Sequence, residues 1–199
     1  MPRVTQEHLD SRRRQILDAA RSCFIENGFH ATSMQDILKA SELSAGAVYR
    51  YFPSKESIVA AIAADSLSEL TSAIEAMAAV EPPPPLEVTA ERLTRMVLRL
   101  EKETGFARIV VQLWGEAVRN PRVKDEITGI ITGARERFSQ LIQAHQRAGT
   151  LNPDIPAADI TATLVSLFPG FVLQHVLIGD VRPETFRNGV RAIVGSAVS

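Results

Sequence analysis

Apolar residues recur three and four positions apart along nearly the whole chain, the spacing that gathers them on one face of an α-helix. No segment alternates in the strand manner between hairpin turns, so the pattern predicts an all-α fold of about nine helices. A first helix from about Ser11 places Ile16, Ala20, Cys23 and Phe24 on one face and stops at Asn27-Gly28, where glycine accepts a left-handed backbone. Thr32 with Gln35 matches a capping box opening a short second helix that ends near Ala40. After a turn at Ser41-Glu42, Ser44 caps a third short helix, with Leu43 and Val48 placed as its hydrophobic staple and Phe52-Pro53 as its end.

Ser54 then caps a long fourth helix whose Ile58, Ile62, Leu70, Ile74 and Met77 share a face, until Pro82-Pro83-Pro84-Pro85 forbids further helix and reads as a stiff connector. Five more helices follow. Their stripes are Leu93 to Leu100, Phe106 to Trp114, and Val123 to His145, and the last two start near Pro156 and Pro183. Pro169-Gly170 falls inside the eighth and is expected to kink it. The expected division is a helix-turn-helix domain over residues 1–55 and a larger helical domain over 56–199.

Composition narrows the class. The 199 residues carry a net charge of −1, with residues 1–55 at +2 and the remainder at −3, a weak asymmetry. Cys23 is the single cysteine, which excludes an internal disulfide and reads as a small buried hydrophobe. No run approaches the roughly 20 consecutive apolar residues of a membrane span, and the start lacks a secretory core, so a cytoplasmic protein with no membrane partner is expected. No phosphate-binding glycine loop, nucleophile elbow or metal-ligand spacing is present, so no enzyme activity, metal or cofactor is expected.

Two short helices joined by a tight turn, Ser33 to Ala40 and Ala45 to Phe52, have the dimensions of a helix-turn-helix, whose second helix enters the DNA major groove. With Leu43, Val48 and Phe52 turned inward, Ala45, Gly46, Tyr49 and Arg50 project outward. Ala45 and Ala47 suit a thymine methyl, Arg50 either a guanine edge or a phosphate, and Tyr49 a phosphate oxygen. Lys55, a cation in a first helical turn, is opposed by the helix dipole unless an anion lies near, which a DNA phosphate would supply; simple solvent exposure is the alternative. The helix start at Thr32 and Ser33 offers free N–H groups to another phosphate.

The stretch FHATSMQDILKASELSAGAVYRYFPSKESI, Phe29 to Ile58, resembles the DNA-binding domain of TetR-type transcriptional regulators, with its Ser-x-Gly-x-x-Tyr and Ser-Lys-Glu signatures. The resemblance runs from Ile16 to about Ile62. It implies that Thr32, Ser33, Ala45, Gly46, Ala47, Tyr49, Arg50 and Lys55 hold DNA-facing positions, with Ser44 beside them, and that double-stranded operator DNA is the partner, usually for repression. Ser41-Glu42-Leu43 departs from the usual Ala-Gly-Val, and Glu42 stands where a positive φ implies strain or an altered turn.

The resemblance also implies a homodimer built on the last two helices, for which Val165, Phe168, Val172, Phe186, Gly189, Val190, Ile193 and Val194 are the candidates. Met96, Phe106, Val110, Trp114, Phe138, Leu141 and Phe171, with His145, Gln174 and His175 as polar groups, suit either a cavity for a small apolar or amphipathic effector or plain core.

Overall fold

The computed structural model describes residues 6–195, and these form nine α-helices with no strand among them. In chain order they are α1 (Gln6–Asn27), α2 (Met34–Ser41), α3 (Ala45–Tyr51), α4 (Lys55–Ala78), α5 (Leu86–Thr104), α6 (Phe106–Ala117), α7 (Pro121–Arg147), α8 (Ala157–Leu177) and α9 (Pro183–Gly195).

Two helix starts differ from the sequence reading. α1 already runs at Gln6, upstream of the first apolar stripe; there, pairs such as Gln6 Nε2 to Asp10 Oδ1 at 3.0 Å support a polar turn that periodicity does not register. The capping box of α2 sits one residue later than Thr32/Gln35. Ser33 Oγ accepts from the Asp36 amide at 3.3 Å, and Asp36 Oδ2 accepts from the Ser33 amide at 2.8 Å. The Ser33 hydroxyl and amide hold the Asp36 carboxyl below its usual range. Thr32 is displaced from that role because its hydroxyl donates inward, to the Gly28 carbonyl at 2.8 Å and the Cys23 carbonyl at 3.1 Å.

The helices assemble around two apolar clusters. The first joins Ile16, Leu17, Phe24, Ile37, Val48 and Phe52 to the first turns of α4 at Ile58, Val59 and Ile62. Gln15 Nε2 reinforces it by donating to the Ser41 carbonyl at 2.8 Å, and Asp65 draws in Arg13 and Arg21 from α1. The second joins Leu70, Ile74 and Met77 of α4 to α5, α7, α8 and α9. One continuous helix therefore belongs to both. Ile109 and Leu113 of α6 and Val123 of α7 are buried in the first cluster, so the α6–α7 elbow also rests on the helix-turn-helix.

The α2–α3 turn is made by Glu42 at φ 55° and ψ 28°, a left-handed non-glycine residue. Its backbone costs about 1–2 kcal/mol relative to a right-handed one. Gly105, at φ 66°, separates α5 from α6, and the Glu101 carboxylate accepts from the Ala107 amide at 2.7 Å in place of a capping side chain.

Helices α4 and α8 are each long and apolar enough, by length and composition, to cross a bilayer, a property that no unbroken apolar run in the sequence shows. Half of the α4 window is buried inside the protein but only 17% of the α8 window. Helix α8 continues through Pro169 without interruption.

Lys55 turns back across the domain. Its Nζ donates to the carbonyls of Phe29 and Thr32, both at 2.7 Å, and lies 4.3 Å from the Phe29 ring centroid. These carbonyls supply the negative potential that the helix dipole denies, so no phosphate is needed to explain a cation there. Lys55→Met should destabilise the protein by about 1–3 kcal/mol, because two carbonyls lose a charged donor. Thermal melting checks this; the slope of log affinity for DNA against log salt should stay unchanged, whereas a phosphate-binding lysine would lower it by about one.

His145 is 2% exposed; its Nδ1 lies 2.8 Å from Thr150 Oγ1 and its Nε2 has no partner. Burial pushes its pKa below the ordinary 6.5, against weaker opposing effects from the Pro84 backbone and Glu87. The unfolded chain then takes up the proton more readily, so stability is complete above the unfolded value of 6.5 and is lost as pH falls below it. Melting temperature should drop between about pH 7.5 and pH 5.5, and His145→Gln should flatten that drop.

Candidate nucleic-acid interface and cavity

The α2–α3 unit presents a small face. Ser44 caps α3 by accepting the Ala47 amide at 3.3 Å, while Val48 is fully buried and Phe52 nearly so. Anchoring those two side chains leaves Ser44, Ala45, Gly46, Tyr49 and Arg50 exposed, with Ala47 half-buried and Ser33 exposed at the start of α2. Tyr49 is 45% exposed, and neither its hydroxyl nor the Arg50 guanidinium has a hydrogen-bond or ion-pair partner among the described residues.

Gly46 is not required by anything inside the chain. A Cβ at this position would meet no atom within 4 Å, and its φ is not positive. A glycine inside a helix costs about 0.5–1 kcal/mol relative to alanine. Packing within the described residues therefore does not account for the missing side chain.

Two expected contact residues do not present their side chains on this face. Thr32 is 1% exposed with its hydroxyl bonded internally, and the Lys55 ammonium is engaged by the Phe29 and Thr32 carbonyls. At the start of α2, the Ser33 amide is already taken by Asp36, whose negative charge occupies the position expected for a phosphate.

Behind this unit lies a cavity of about 460 Å³ walled by α4, α5, α6, α7 and α8. Of the expected effector residues, Phe106, Val110, Trp114 and Phe138 line it. The others do not. Leu141 and Phe171 are closed inside the core, Met96 packs half-buried against it, and Gln174 is exposed. His175 stacks on Phe171 at 6.4 Å between centroids, and His145 bonds to Thr150 at the end of α7. Sequence periodicity marks which residues of a helix are apolar but not which inner contact leaves a void.

Within the protomer, most of the expected dimer residues pack against their own chain. Val165, Phe168 and Val172 line the cavity, Val190 is 4% exposed, and Phe186 packs its ring 5.7 Å from Phe168 and 5.5 Å from Phe171. Val194 packs half-buried against the same core. The stripe of α9 lies largely inside the protomer, and only Gly189 and Ile193 of the expected residues are exposed. From α8 to α9, the large apolar side chains facing solvent are Leu173, Leu177 and Ile178, at 36%, 73% and 65%, with Ile193 at 65%.

A family model described as "Bacterial regulatory proteins, tetR family" matches residues 16–62, and one described as "BetI-type transcriptional repressor, C-terminal" matches residues 89–199. The HTH-type transcriptional regulator UidR of Escherichia coli K12 is 31% identical over 188 residues, 94% of this chain and 93% of that protein. The structure of Salmonella enterica GusR superposes with a TM-score of 0.75 at 26% identity, over 99% of both chains. A transcriptional regulator from Saccharomonospora viridis, solved in complex with choline, shares the fold at a TM-score of 0.68 and 20% identity, over 94% of this chain and 96% of that one. With a DNA-binding segment and a C-terminal segment both matched, the chain belongs to the TetR family of ligand-responsive, DNA-binding transcriptional regulators.

Proposed function

We propose that this regulator is a cytoplasmic repressor that acts as a homodimer, reads its operator with the exposed face of α3, and releases it when a small apolar or amphipathic molecule enters the cavity. The observation that carries the DNA reading is the combination at α3 of an unpaired Arg50 and Tyr49 with a glycine whose missing Cβ serves nothing in the chain. Gly46 and Ala45 allow the helix to approach the groove floor, Ala45 and Ala47 meet thymine methyls, Arg50 reads a guanine edge, and Tyr49 donates to a phosphate.

Residues 1–55 supply the contacts and 56–199 the effector and partner surfaces, with α4 spanning the division. Leu173, Leu177, Ile178 and Ile193 support a second copy against α8 and α9, since exposed apolar side chains of this size are favourable only when covered. Two recognition helices then meet half-sites about 34 Å apart.

Ala63, Leu113 and Ile127 face the cavity and also belong to the cluster that carries the helix-turn-helix. A ligand that displaces them shifts the recognition helices, and induction follows if the shifted arrangement binds that ligand better.

Affinity for a duplex selected from random sequence tests the reading. Gly46→Ala should raise stability by about 0.5–1 kcal/mol while weakening DNA binding, opposite signs that general unfolding cannot produce. Arg50→Ala should cost about 1–3 kcal/mol and relax the preference at one base position. Unchanged affinity in both variants would remove α3 as the reading helix.

A further inference from the structure

The cavity is unusual in its polar groups. Among its 22 lining residues only Thr71, Ser166, Arg135 and, through its indole N–H, Trp114 carry polar side-chain atoms, and none is acidic. The Thr71 hydroxyl donates to the Ser68 carbonyl at 3.0 Å and the Ser166 hydroxyl to the Thr163 carbonyl at 2.6 Å, so both hydrogens are already used within their own helices. Toward the cavity these side chains keep only accepting lone pairs. Besides the indole N–H of Trp114, Arg135 is the side-chain donor left in the lining, and it is the charged one.

Arg135 is exposed, and it has no hydrogen-bond or ion-pair partner among the described residues. Two acids on α4 are engaged by other arginines: Glu75 binds Arg137 at 2.6 Å and Glu69 binds Arg99 at 2.7 Å. A lining residue that is also exposed sits where the cavity meets solvent. There, an otherwise apolar chamber ends in one unneutralised guanidinium, which offers a planar fork matched to a carboxylate.

We propose that the effector is an apolar monocarboxylate whose body fills the space beside Trp114, Phe106 and Phe138 and whose carboxylate is bound by Arg135. This rests on the cavity being the effector site. A polyol head would bury hydroxyls with too few donors to meet them, each costing about 1–3 kcal/mol. A cationic head would face Arg135 with no acid to balance it, so the choline bound by the Saccharomonospora viridis protein is a poor match for these residues despite their aromatic rings.

Trp114 is the only tryptophan and lines the cavity, so its fluorescence reports occupancy of this site alone. The 199-residue protein is titrated at neutral pH with decanoate, 2-naphthoate, decan-1-ol and decyltrimethylammonium, each below its micelle concentration. At least one acid should bind about tenfold or more tighter than decan-1-ol, with decyltrimethylammonium weaker than both. Decanoate and 2-naphthoate separate an acyl from an aromatic source. In Arg135→Gln the preference for acid over alcohol should vanish while decan-1-ol binding persists, which shows the fold intact.

Equal affinity for acids and alcohol, a preference that survives Arg135→Gln, or no response to any probe would overturn the proposal. DNA affinity measured alongside keeps the two readings apart. Acid binding through Arg135 without loss of DNA affinity supports the ligand class and refutes release; DNA binding without acid preference does the reverse.

Discussion

Two structural links join the cavity to the domain that carries the recognition helix, the continuous helix α4 and the packed contact of the α6–α7 elbow against the helix-turn-helix. Ile109, Leu113 and Val123 are 4%, 3% and 3% exposed and share a cluster with Ile16, Ile37, Val48 and Ile58. Burying side chains of this size stabilises by about 1.5–3 kcal/mol each, so the elbow and the small domain hold together as one unit. Interiors at crystal-like density transmit displacement rather than absorb it. Leu113 lines the cavity and packs in the cluster that carries the small domain.

The recognition helix itself is only Ala45–Tyr51, far too short to be stable alone. Its direction is imposed by Val48 and Phe52 below it and by a frame of polar bonds around it. Gln15 holds the end of α2, Thr32 closes the α1–α2 connection, and Lys55 binds both ends of the Phe29–Thr32 segment. Glu42 keeps a strained left-handed backbone in the same frame. The domain tolerates that strain because the surrounding bonds and buried contacts over-determine the turn.

The helices and most of their ends were legible because apolar spacing, proline runs and Ser caps are local signals. The outward face of α3 was legible for the same reason: on a short helix, fixing two inward residues fixes the rest. The internal contacts of Lys55 were not legible because its partners are carbonyls 26 and 23 residues away, which spacing cannot show. In the C-terminal helices an apolar stripe is compatible with core, cavity or partner. Phe186 and Val190 went to the core, and Phe168 and Val172 to the cavity as well, because α5 covers the stripe of α9. Arg135 carried no sequence signal, since a charged residue on a long helix ordinarily marks a solvated face.

Helix α8 brings these strands together. Its middle, Val165 to Val172, walls the cavity, while its last turns expose Leu173 and Leu177 on the face assigned to a second copy in the proposed dimer. Between the two uses stands Pro169, which lacks an N–H and so leaves the Val165 carbonyl without its helical donor. A helix weakened by one bond bends at lower cost there than elsewhere along its length. A ligand that presses on Phe168 and Val172 then acts on the elbow from one wall and on the partner-facing turns from another. In that arrangement the spacing of the two recognition helices answers to cavity contents by two routes, and neither needs a residue that touches both ligand and DNA.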